Sequence, residues 1–211
     1  MRSVLTCFVL LIILDGNFVS AQTTFRPVSD LDKFRLEFKT ESSKINTITS
    51  DFQQEKQLIA LTETIHSQGK FWFRREDKVR INYENPFLYQ MVINGDRISI
   101  RDNEKVNQMN TRSSKLFQQV NRIMLDCVRG SVLDSRDFTA TVFENAEQYK
   151  IVLSPQGKAL RDFFTTINLF IDKKTYSVAS IEMNETGGDK TVMTFTNKIL
   201  NTPVDDAVFS M

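Results

Sequence analysis

Histidine is almost missing from this sequence: His66 is the only one in 211 residues. It stands in a polar stretch between apparent strands, where a solvated loop position is expected. No His/Cys cluster has metal-ligand spacing, and no H-E-x-x-H pattern occurs. The sequence also lacks a G-x-S-x-G elbow, a phosphate-binding loop and a dinucleotide fingerprint. Carboxylates are numerous but scattered, and nothing singles out a pair for glycoside hydrolysis. These absences point away from an enzyme, and no cofactor or metal is expected.

Cysteine is nearly as scarce. Cys7 falls in the N-terminal apolar run and Cys127 stands alone in the rest of the chain. Once a leader is removed no intramolecular disulfide can form, and the remaining thiol is expected to be buried and inert. Neither sign of charge dominates: 27 Lys and Arg face 26 Asp and Glu, for a formal charge of +1. Acids and bases are interspersed, which leaves no field to select nucleic acid or an anionic membrane. Glycine and proline are few, at 7 and 4, whereas phenylalanine reaches 17. Such a composition suits long strands carrying large apolar side chains.

The first residues form a secretory leader. Arg2 gives a positive start, Val4–Leu14 is apolar but for Thr6, and Val19-Ser20-Ala21 offers the small residues a signal peptidase reads. Residues 1–21 are expected to be cleaved between Ala21 and Gln22. The apolar run, roughly eleven residues, is too short to span about 30 Å of hydrocarbon. Residues 22–211 are expected to form one domain with a sizeable core.

Beyond a short tail, Ser29 fits a helix N-cap, with Asp30 and Asp32 in the first turn. Leu31, Phe34 and Phe38 share one helical face, predicting an amphipathic helix from Asp30 to about Ser42. The period then shifts toward two. Ile48, Ser50, Phe52 and Gln54 alternate with polar neighbours. Phe71 and Phe73 oppose Lys70, Trp72 and Arg74; Val79, Ile81 and Tyr83 oppose Arg80, Asn82 and Glu84. Tyr89, Met91 and Ile93 lead to Asn94-Gly95, a hairpin signal, and Ile98 and Ile100 follow. Ser113–Val128 puts Leu116, Phe117, Val120, Ile123, Met124 and Cys127 on one face of a second helix, which Gly130 stops. Further strands are predicted at 138–144, 149–153, 165–172, 177–185 and 190–197. A short helix at 158–163 has Leu160 and Phe163 facing inward.

The class is mainly β with helices: an antiparallel meander whose apolar face needs a cover, and amphipathic helices to supply it. By pattern alone, Phe71, Phe73, Val79, Ile81, Tyr83, Met91 and Ile93 form either a filled core or the wall of a ligand cavity.

Several segments together resemble the outer-membrane lipoprotein carrier proteins of Gram-negative bacteria, the LolA-like family. They are Phe52-x-Gln54, Gly69-Lys70-Phe71-Trp72-Phe73-Arg74-Arg75, Val79-Arg80-Ile81-Asn82-Tyr83 with Pro86, Val92-Ile93-Asn94-Gly95-Asp96 and Leu153-Ser154-Pro155. The order of leader, helix, strands, helix and strands agrees as well. Two positions depart: Arg75 is followed by Glu76 rather than proline, and Ile81 stands where the family often has tryptophan.

The resemblance implies an incomplete antiparallel β-barrel, a half-barrel, covered by a lid of amphipathic helices. Its cavity would hold lipoprotein acyl chains against the seven strand residues above and Leu116, Phe117, Val120, Ile123 and Met124 of the lid. It further implies a periplasmic monomer that receives cargo from an inner-membrane ABC-type release complex and passes it to an outer-membrane acceptor, with no nucleic acid and no cofactor. Alternatives are a carrier of another lipid or pigment precursor, or a lipid-binding sensor or regulator with the same fold. If Phe71 and Phe73 point inward, parity turns Arg75 inward too. There it either reaches across the cavity to carbonyls of the lid helix or ends the strand at the rim, solvated.

Overall fold

A computed structural model describes residues 24–75, 77–102, 105–110, 122–123 and 125–211. The leader expected over residues 1–21, and Leu116, Phe117, Val120 and Met124 of the expected second helix, lie outside the described residues.

The chain opens with a two-residue strand, β1 (Arg26–Pro27), and helix α1 (Leu31–Ser43). Asp30, not Ser29, is the N-cap: its carboxylate accepts from the backbone N–H of Lys33 at 2.9 Å. Six strands follow: β2 (Thr47–Leu58), β3 (Glu63–Arg74), β4 (Lys78–Asn85), β5 (Tyr89–Asn94), β6 (Arg97–Asp102) and β7 (Lys105–Asn110). Helix α2 is described at 122–123 and 125–129. Then come β8 (Phe138–Glu144), β9 (Gln148–Pro155), the short helix α3 (Lys158–Arg161), β10 (Phe164–Asp172), β11 (Val178–Glu185) and β12 (Lys190–Leu200).

The strands join in one 12-stranded sheet in the order β1-β8-β9-β10-β11-β12-β2-β3-β4-β5-β6-β7, antiparallel throughout. The sheet is open: β1 and β7 are its two edges, and the last strand, β12, lies in its middle against β2. The arrangement is an incomplete barrel with helices on its inner side.

Several local readings change. His66 lies within β3 rather than in a loop, though it remains exposed beside Glu55. Asn94 is still paired, with Arg97, so the hairpin turn is Gly95-Asp96, with Gly95 at φ 58°. In the 158–163 region Leu160 is fully buried but Phe163 is half exposed, because the helix ends at Arg161 and Phe163 falls in the turn before β10. Strands β1 and β7 escape the pattern, β1 for its shortness and β7 because its residues are mostly polar and exposed.

Period-two alternation sets the inner face. In β3, Phe71 and Phe73 are buried inward, and in β4 Val79 and Ile81 are. Two cores result. One packs Phe34 and Phe38 of α1 onto Ile151, Leu153 and Leu169. The other packs Phe52, Phe73, Val79 and Ile98 beneath Leu125 and Val128 of α2.

The outer face is sealed elsewhere. After β12 the tail recrosses β3–β5, where Arg74 donates to the Val204 carbonyl (3.0 Å) and Arg80 to that of Val208 (2.9 Å). Asp206 pairs with Arg74 and with Lys78, and Phe209 is buried under the Arg74 guanidinium.

Gly69 is the tightest point. A Cβ there would stand 1.8 Å from the backbone oxygen of Asn82 and 2.9 Å from the ring of Phe52. The β3–β4 register shifts at this position, so the glycine lets two strands and a buried ring meet. Gly69→Ala is expected to cost about 1–3 kcal/mol through overpacking. Urea denaturation measures it, and an unchanged midpoint would contradict the close approach.

Candidate functional site

The inner faces of β2–β5 and β10–β12, roofed by α2, enclose an apolar cavity of about 270 Å³. Of the residues expected to line it, Phe71, Ile81, Tyr83, Met91 and Ile123 do so. Phe73, Val79 and Ile93 do not. They are buried to 2% exposure or less, packed with Ile98, Leu125 and Val128. Both readings of the alternating pattern have their place on one face: Phe73, Val79 and Ile93 pack beneath Leu125 and Val128, while Phe71, Ile81, Tyr83 and Met91 border the hollow.

The other half of the wall was not read from sequence. Ile167 and Leu169 of β10, Ile181 and Met183 of β11, and Met193 and Phe195 of β12 complete it. They carry the same alternation as β3 and β4. What the pattern cannot supply is the β2–β12 pairing that brings these strands opposite Phe71 and Ile81.

Few polar groups of the described residues reach this space. The Tyr83 hydroxyl donates to Gln54 Oε1 at 2.8 Å, and burial, with Tyr89 adding to it, pushes the phenol up to about 12. It stays neutral. Cys127 is buried in the wall, and burial, helped by Asp126, pushes its thiol up, away from the thiolate a nucleophile needs. Lys198 of β12 also lines the cavity. Its Nζ donates to Ser177 Oγ (2.8 Å) and to the Val178 carbonyl (3.1 Å). No nucleophile–base pair forms among these groups; the arrangement can enclose an apolar chain.

Arg75 stands in the turn after β3, not in the strand, so parity does not aim it across the cavity. The guanidinium turns instead to the C-terminal end of α1. Nε and Nη2 donate to the Ile45 carbonyl (3.1 and 2.8 Å), and Nη2 also to those of Ser42 and Ser43 (both 3.0 Å). A helix C-terminus offers unpaired carbonyls and a negative dipole end, which a fixed cation satisfies. The same turn holds α2, through an ion pair between Asp77 and Arg129. Gly130, at φ 73°, lets the end of α2 close on α1: a Cβ there would be 2.8 Å from the Phe38 carbonyl. Both helices are thus tied to the β3–β4 turn and to each other.

Among the described residues no helix is long and apolar enough to cross a membrane. The fold recurs in solved structures at low identity. An uncharacterized conserved protein from Thermus thermophilus is 10% identical, with a TM-score of 0.52 over 85% of this chain and 93% of that one. MucB is 15% identical, with a TM-score of 0.51 over 87% of this chain and 64% of its own. A LolA superfamily protein from Nitrosomonas europaea is 6% identical, with a TM-score of 0.44 over 84% and 97%. No curated protein matches the sequence significantly. The family described as outer membrane lipoprotein carrier protein LolA matches residues 43–211, from the end of α1 through the whole of the sheet but its first edge strand and on to the last residue. With the half-barrel and its roofed cavity, this stretch settles the kinship: the chain belongs to the LolA family.

Proposed function

We propose that this chain is a periplasmic carrier, not an enzyme, which hides the acyl chains of a lipoprotein in its cavity between an inner-membrane ABC-type release complex and an outer-membrane acceptor. The observation that carries the reading is an apolar hollow in the centre of a LolA-family half-barrel, walled from both halves of the sheet. Its ~270 Å³ compares with the ~150 Å³ apolar cavity that holds one benzene. That is room for part of one acyl chain. Met91, Met183 and Met193 in the wall can repack around a chain without a fixed shape.

Burial of an acyl chain is worth about 0.8 kcal/mol per methylene. A carrier that matched several long chains would hold them too tightly to pass them on, since non-covalent affinity saturates near ~20 kcal/mol. A small cavity that must widen to load avoids this. Widening moves α1 and α2 and breaks the bonds from Arg75 and the Asp77–Arg129 pair, so closure of these contacts opposes the loaded state and helps expel cargo.

Native mass spectrometry of the protein purified from its own periplasm tests the proposal. Bound acylated lipoprotein is the expected result. Free lipid or pigment precursor would move the carrier to another cargo. An empty protein that also excludes a fluorescent apolar probe would overturn it.

Arg75→Leu is expected to leave loading intact and to slow release by about tenfold or more, since charge-assisted bonds of about 1.5–3 kcal/mol no longer favour the closed form. Transfer to acceptor vesicles measures this, and an unchanged release rate would remove Arg75 from the coupling.

A further inference from the structure

A lysine in the wall of an apolar cavity is out of place, and the way β12 puts it there is specific. Along β12, Met193 and Phe195 point inward, so strict alternation would turn Asn197 inward next. Instead the β12–β2 register shifts between Thr196 and Ile199, and Asn197 takes a left-handed backbone (φ 50°), with its amide donating to Asp51 at 2.8 Å. The bulge passes the inward place to Lys198.

Beside this point the β11–β12 ladder has already ended. It runs from Asn184↔Lys190 to Ser180↔Thr194, so the start of β11 is splayed from β12. The Lys198 ammonium bridges the gap with two bonds, to Ser177 Oγ and the Val178 carbonyl. An ammonium has three N–H donors, so one is left over. No carboxylate of the described residues lies within ion-pair distance of it. Asp172, whose charge acts on Lys198, is engaged by the backbone N–H groups of Lys174 and Thr175 and by the Thr175 hydroxyl. A neutral side chain would bridge the same gap without the cost of drawing a charge out of water. Its internal partners explain a donor at position 198 but not a cation.

Resting on the carriage of an amphiphile in this cavity, we propose that Lys198 is a polar subsite that binds the anionic head, carboxylate or phosphate, of an acyl-chain ligand. The third N–H and the ammonium charge meet the head, while Leu169, Ile181 and Met193 meet the chain. The subsite extends the ligand class beyond neutral lipoprotein tails to anionic single-chain lipids.

The test compares binding of cis-parinaric acid and its methyl ester to the mature protein by fluorescence at neutral pH, where the Lys198 ammonium, its pKa lowered by burial, is still charged and the acid is ionised. The wild type is expected to prefer the acid by about tenfold, the scale of one charge-assisted bond. Lys198→Met should lose that preference while still binding the ester, and Lys198→Arg should keep it. Competition by oleate, by lysophosphatidate and by neutral 1-oleoylglycerol separates carboxylate from phosphate as the head recognised, with the glyceride the weakest. Equal binding of acid and ester by the wild type, or a preference that survives in Lys198→Met, overturns the subsite and leaves Lys198 as a bridge between splayed strands. Should Lys198→Met fail to fold, the wild-type preference and the Lys198→Arg variant decide. If neither probe binds the wild type, the carrier proposal falls as well, an outcome distinct from equal binding.

Discussion

A curved sheet cannot be sealed by straight helices, and this mismatch governs the molecule. Protein interiors pack at a density near ~0.74, with few voids larger than a water molecule. On this inner face Phe73, Val79, Ile93 and Ile98 pack with Leu125 and Val128 of α2. Next to them, between Ile81, Leu169, Ile181 and Met193, space stays open. Lined mostly by hydrocarbon, with the Tyr83 hydroxyl bonded to Gln54 and Lys198 set at one side, it is poor in partners for water. The carrier reading needs no more than this: a hollow that geometry leaves and that sequence declines to fill.

The cover is fastened at its margin rather than through the hollow. Arg75 meets three carbonyls at the end of α1, and Asp77, two residues on, meets Arg129 of α2. Polar bonds are directional and lost over short displacements, whereas apolar contacts within the cavity are not. A helical cover held in this way is fixed by a few directional bonds at one margin. Placing the fasteners in one turn means that a single hairpin registers the position of both helices.

How much of this could be read from residues alone depends on what kind of information each feature needs. The alternation of Phe71, Phe73, Val79 and Ile81, and the Phe34–Phe38 face of α1, are local and give the strands, the first helix and the inner face directly. Division of that face into filled and hollow parts is not local: Phe73 and Phe71 are two residues apart with one composition, yet only Phe71 reaches the cavity, because what stands opposite each comes from distant parts of the chain. Residues 165–200 show the same alternation, but their place opposite β3 and β4 follows from the β2–β12 ladder, which joins residues far apart in the chain. Lys198 is hidden for a third reason. Counting by twos puts it outside, and only the bulge at Asn197 reverses it. Arg75 differs again: parity does not apply to a turn residue, and its cation is found at the unpaired carbonyls that end α1 rather than across the cavity.

The position of β12 also sets an order of events. Because the last strand of the chain is a central strand of the sheet, β2 has no partner on one side until nearly every residue is available. The first half can form its β2–β7 meander early by short-range hairpins, yet the two halves of the sheet cannot join in that interval, and an unpaired edge remains exposed. The molecule therefore closes its cavity last. Until β12 joins β2, the strands β10–β12 have no place opposite Phe71 and Ile81, and there is no hollow for a chain to enter.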